Sequence, residues 1–182
     1  MHGKKFGKWG FTNLASMHLH IPYDANEDGF SDIAQVSKFN FNPKLFYNPN
    51  KKTALYFGAT ISKENRIGGD MDIIRHNNSI GKYYSDKQES SRFTTQFSAQ
   101  YKLDEVKTIT LKNSISSFDR YINIDENILG TSTTFGGNQL NSFTELNLSI
   151  NKEKQNINIG INALSDQFTE DNIIPHPLRN QE

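Results

Sequence analysis

The chain has no cysteine, which excludes both a disulfide framework and a thiolate metal site. No stretch approaches the ~18 consecutive apolar residues of a helical membrane span, although strands of alternating polarity escape that criterion. Its 20 basic and 20 acidic residues cancel, so no general attraction to nucleic acid or to anionic lipid is expected. Hydrophobic residues make up only 35% of 182, little for a packed core of that length. The opening MHGKKFGKWGF is positive but leads into no apolar run, and it does not read as a signal peptide. Neither a nucleophile elbow nor a glycine-rich phosphate loop is present, and the carboxylates crowd into turns, so no enzyme is expected.

What is abundant is aromatic and turn-forming: 13 Phe and 7 Tyr, with many Asn, Ser and Thr, residues that favour strands and turns over helix interiors. Period-two alternation dominates. In RFTTQFSAQYKL, Phe93, Thr95, Phe97, Ala99, Tyr101 and Leu103 share one face and Arg92, Thr94, Gln96, Ser98, Gln100 and Lys102 the other. Equivalent rows are Leu55 to Ile61, Phe39 to Tyr47, Ile109 to Ile115, Leu140 to Ile150 and Ile157 to Ala163, with a less regular row from Trp9 to Leu19. These predict an all-β chain of about seven strands with no convincing helix.

Short connections, NPNK, LDEVK and NKEKQ, carry hairpin-turn chemistry. Between the hairpins lie longer segments at 21 to 32, 65 to 91 and 120 to 138, and a tail from 166. An antiparallel up-and-down meander then puts every short turn at one end and every long loop at the other, the asymmetry of outer-membrane barrels. The central apolar rows carry no charge, whereas Lys38, Lys44, Arg92, Lys102, Lys112 and Glu145 fall on the opposite faces. A Lys or Arg facing lipid at the bilayer midplane costs about 2–4 kcal/mol, so a membrane barrel should show this partition. A soluble or periplasmic β-barrel binding module would show it with the apolar face turned inward, and a pore without energy coupling is a third reading. An odd number of strands and unpaired edges point to a piece of a larger barrel.

Several landmarks together resemble the barrel of TonB-dependent outer-membrane receptors, especially the Bacteroidetes type. They are DANEDGFSD, PKLFYNPNKKTAL, RIGGDMDIIR, SSFDRYINI, FGGNQLNSFTELN and NIGINALSDQFTE, in that order along nearly the whole chain. The resemblance implies that residues 1 to 182 are part of a 22-stranded barrel in the outer membrane of a Gram-negative cell, bounded by lipid. It implies uptake of a scarce nutrient such as a ferric siderophore or cobalamin, energised through TonB. The chain itself carries no plug and no TonB box, so that activity belongs to a longer parent receptor.

Three stretches are candidate sites. In DANEDGFSD, side-chain oxygens of Asp24, Asn26, Asp28 and Asp32, with the Phe30 carbonyl, have the spacing of the first part of a calcium loop. Gln35 stands where the bidentate Glu should be, and a strand rather than a helix follows, so an acidic loop built of Asx-turns is the competing reading. No cofactor is required; calcium in this first extracellular loop is the one metal considered. In NRIGGDMDIIRHNN, Arg66, Gly68, Gly69, Asp70, Met71 and Arg75 offer charges, a bend and a soft apolar contact for a metal-chelate or cobalamin-type ligand, against the reading of a packed surface loop. His18 and His20 share a strand face without a third ligand and read as lumen-facing polar residues, while Phe118 and Tyr121 read as strand-end aromatics at a membrane interface.

Overall fold

The computed structural model describes residues 2–76, 84–126 and 131–171. Among them, eight strands form one open antiparallel sheet in strict sequence order, each pairing only with its chain neighbours. They are β1 (His2–Phe6), β2 (Trp9–His20), β3 (Gln35–Tyr47), β4 (Thr53–Gly69), β5 (Tyr84–Lys102), β6 (Lys107–Glu126), β7 (Thr131–Lys152) and β8 (Gln155–Glu170). The all-β meander is as expected, but the strands number eight rather than seven. His2–Phe6 folds back on Trp9–Asn13 through a two-residue turn, whose first residue, Gly7, has φ 59°, a conformation open to glycine. Eight is even, so the strand number does not itself point to a larger barrel, while among the described residues β1 and β8 are unpaired edges.

Strand takes up about half of one expected long loop and most of another. β4 continues to Gly69 and β5 begins at Tyr84, so 65–69 and 84–91 are paired. Likewise β6 and β7 stay in register from Lys107↔Ile150 to Glu126↔Thr131, which puts most of 120–138 in the sheet. Ile122, Ile124 and Phe135 of these extensions fall on the side opposite the apolar rows, and a ladder of backbone hydrogen bonds needs no continued apolar row to form. One short helix, α1 (Met71–His76), was not anticipated.

Register partners in an antiparallel sheet lie on the same side, and this places all the apolar rows together. Trp9, Tyr47, Leu55, Ala99, Leu111, Leu146 and Ile161 form one continuous line of partners across seven strands. Lys38, Lys44, Arg92, Lys102, Lys112 and Glu145 all project from the other side. There the ladder is polar: Lys38 pairs with Glu64 at 2.7 Å and Lys112 with Glu145 at 3.0 Å. The Tyr56 hydroxyl donates to Gln96 Oε1 at 2.7 Å, and Thr60 to Asn42 Oδ1 at 2.8 Å. Gly58 keeps this face open, because a Cβ there would lie 3.3 Å from Gln96 Oε1 and closer still to the Tyr56 ring.

The apolar side is not a straight stripe. Measured from that line of partners, β2 carries its apolar residues toward the loops as far as Leu19, β3 as far as Phe39 and β4 as far as Ile61. In β6 they run from Ile109 to Ile115, still mostly toward the loops, and in β8 from Ile157 to Ala163, mostly toward the turns. Uncharged Asn13, Thr95, Asn113, Ser142 and Thr144 interrupt it. The band therefore slips by about one residue per strand, which at ~3.3 Å per residue and ~4.8 Å between strands corresponds to a tilt of roughly 35°. Its side chains are bare: Met17 is 67% exposed, Phe57 51% and Ile161 73%.

Candidate functional site

Burial is concentrated at the loop end. Among the described residues, the buried ones other than glycine are Ala34, Asp70, Met71 and Ser85, and all four sit where the 21–34 connection meets the end of β4. The two stretches singled out in the sequence are thus brought into contact. Tyr23 and Ile33 exchange backbone hydrogen bonds of 3.0 Å, closing the loop at its base. Its tip reaches β4: Ser31 N–H donates to Gly69 O at 2.8 Å and Met71 N–H to Gly29 O at 2.9 Å, while Gly69 N–H donates to Ser31 Oγ at 3.0 Å. Phe30 and Asp70 form a β-bridge.

Gly69 is the steric key to this joint. Its φ of 111° lies where L side chains are strained, and an added Cβ would stand 2.9 Å from Ser85 Cα and nearer still to Tyr84 O. Asp70 then caps the helix, its Oδ1 accepting from Asp72 N–H at 3.0 Å while its carbonyl accepts from Ile74 N–H at 3.1 Å. The helix signal was present in the sequence: a capping Asp70, Asp72 in the first turn, and Arg75 and His76 in the last.

The side-chain calcium candidates each accept a hydrogen bond from the loop's own backbone, while Asp24 Oδ1 is buried with no hydrogen-bond partner among the described residues. Asp24 Oδ2 accepts from Gly29 N–H at 2.9 Å, Asn26 Oδ1 from Asp28 N–H at 3.3 Å, Asp28 Oδ1 from Phe30 N–H at 2.8 Å, and Asp32 Oδ2 from Ala25 N–H at 2.7 Å. Glu27 at φ 58° and Gly29 at φ 88° complete the tight turns. This is the Asx-turn arrangement, and no group of three or more His, Cys, Asp or Glu gathers to hold a metal among the described residues.

In the second stretch, Gly68, Gly69, Asp70 and Met71 build the joint. Arg66 projects from the polar side of β4 and Arg75 from α1, both exposed. Asn77 and Asn78 lie outside the described residues. His18 and His20 do share the polar side, with ring centroids 6.3 Å apart. Phe118 and Tyr121, expected together at a strand end, instead lie well inside β6 on opposite sides, three residues apart. Phe118 carries the Arg92 guanidinium 4.5 Å above its ring.

A site missed in the sequence lies on the apolar side, just loopward of the band. Lys63, Glu89, Ser91, Asp119, Tyr121 and Asp171 surround an open groove of about 450 Å³. Asn138 Nδ2 steadies one wall, donating to Asp119 Oδ1 at 2.8 Å and Ser117 Oγ at 3.0 Å. These residues come from four strands and Asp171, and only the register brings them together. Their mixed charges suit a polar, hydrated ligand. In comparisons with family models, curated proteins and solved structures, none matches this chain.

Proposed function

We propose that this chain forms part of the wall of a transmembrane β-barrel, with the apolar side toward lipid and the polar side toward the lumen. The observation that carries the reading is the oblique apolar band. Strands crossing a flat slab at an angle must shift their apolar segments by a constant step, and the tilt of roughly 35° falls within the ~35–45° of membrane barrels. From Phe93 to Tyr101, a strand so tilted rises roughly 22 Å, close to the ~25 Å of such bands. Trp9 and Tyr47, stacked at 4.1 Å, and Tyr101 stand on the turnward rim, where amphipathic rings suit an interface. Lys63 and Asp119 follow directly beyond the opposite rim. Lys4, the register partner of Phe11, is placed by the slant near the turnward margin, where charge costs about 0–1 kcal/mol.

The finer proposal is an outer-membrane receptor for TonB-coupled uptake of a ferric siderophore or cobalamin. Support comes from the ordered sequence landmarks, from the two fourteen-residue connections, 21–34 and 70–83, lying at the same end of the sheet, and from a loop clasped onto the protruding strands. Nitroxides at Phe57, Phe97, Leu111 and Ile159 should be relaxed by lipid-soluble oxygen, and those at Gln96, Lys102 and Lys112 by aqueous nickel chelates. The reverse pattern would make the chain a soluble barrel with its apolar face inside. Deleting the gene should abolish uptake of one of the two nutrients; unchanged uptake of both rejects the receptor reading while leaving the membrane wall standing.

A further inference from the structure

The formal net charge of zero conceals a separation along the strand axis. The 21–34 connection carries Asp24, Glu27, Asp28 and Asp32 with no Lys or Arg. The turn end carries the opposite sign: Lys8 in the β1–β2 turn, Lys51 and Lys52 in the β3–β4 turn, Lys107 at the start of β6, and Lys152 and Lys154 around the β7–β8 turn. Asp104, Glu105 and Glu153 offset only part of this. All six lysines are exposed, and none forms an ion pair with a described residue.

Their height matters as much as their number. Lys107 follows Ile109 on the apolar side, and Lys152 follows Ile150 on the same side. Each stands one alternation step below the last apolar residue of its strand, level with the zone entered by Trp9, Tyr47 and Tyr101. An ammonium there, on a flexible four-carbon stem, can keep its methylenes against apolar surface and its charge among headgroups.

We propose that this lysine rim docks on the anionic phospholipid headgroups of the leaflet on the turn side. The inference rests on the membrane-wall reading and adds the lipid class and the orientation. Each lysine near an anionic surface contributes about a fivefold gain in partition, screened by salt. The acidic loop end gains nothing from such a surface, so anionic lipid selects one of the two directions of insertion.

The test uses the full chain with phosphatidylcholine vesicles, with and without phosphatidylglycerol. Trp9, the single tryptophan, reports depth through its emission and its quenching by brominated lipid. Phosphatidylglycerol should raise partition and bring Trp9 to headgroup depth, and added salt should reverse the gain. Lys107→Gln, Lys152→Gln and Lys154→Gln together should cut partition roughly a hundredfold; Lys51→Gln with Lys52→Gln is an independent variant, and Lys87→Gln at the loop end should change nothing. Insertion that is indifferent both to phosphatidylglycerol and to the lysine variants overturns the rim and leaves the membrane wall intact. Lysine-dependent association that leaves the strands open to trypsin supports the rim and overturns the wall. Association with neither vesicle overturns both.

Discussion

The loop joint and the middle of the sheet are held by different physics. At the joint, Ala34, Asp70, Met71 and Ser85 are buried, and backbone groups of the loop meet backbone groups of β4. In the middle of the sheet the ladder is broken only between β3 and β4, at Asn42 and Pro43, yet Phe57, Phe97, Leu111 and Ile159 lie on a face that none of the described elements covers. The joint is specified in water, by steric fit and hydrogen bonds. The middle is specified only by which side each residue occupies, and that distinction acquires energy when the two sides meet different solvents.

The largest effect should come from erasing the partition. Leu111→Arg is expected to cost about 2–4 kcal/mol in lipid, whereas Ser98→Arg, on the opposite side of the sheet, should stay within about 0.5 kcal/mol. Denaturant unfolding in vesicles compares them; equal costs would remove the distinction between the sides. Next comes the joint. Gly69→Ala forces a Cβ into a left-handed backbone against β5 and should cost about 2–3 kcal/mol, while Gly68→Ala, whose Cβ would find Ala34 Cβ at 3.6 Å, should be tolerated. Amide exchange across 21–34 should accelerate in the first variant alone. Removing the helix cap with Asp70→Ala should cost about 1 kcal/mol, read as faster exchange at Asp72 and Ile74.

The smallest effect lies in a turn. Asp104 Oδ1 accepts from Val106 N–H at 2.8 Å and Lys107 N–H at 2.7 Å, and these backbone donors hold its carboxyl below the usual range. A depressed carboxylate stabilises the fold above its unfolded value, near ~3.9, and that contribution is lost as pH falls through the lower folded value. The β5–β6 turn should therefore loosen in acid, and Asp104→Ala should remove that pH dependence from Val106 and Lys107 exchange.

Alternation in the sequence located the strands wherever one side was apolar. It failed where the apolar row did not continue, at 65–69, 84–91 and most of 120–138, because there the ladder rather than the side chains defines the strand. At the joint, the tight turns of DANEDGFSD were legible, since Asx chemistry is local. That this loop would clasp Gly69 was not, because the bond joins residues 38 apart in sequence. The Lys63, Glu89 and Asp119 groove was hidden for the same reason: alternation gives each strand's faces but not its register against the next.

The strict succession of neighbours also bears on how the sheet is built. No strand waits for a distant partner, so the chain need close only short loops as it folds, and the entropy of closure rises only slowly with their length. The connections at 7–8, 48–52, 103–106, 127–130 and 153–154 span five residues or fewer, and those at 21–34 and 70–83 span fourteen. In such a meander each strand added to its chain neighbour covers one open edge and presents the next.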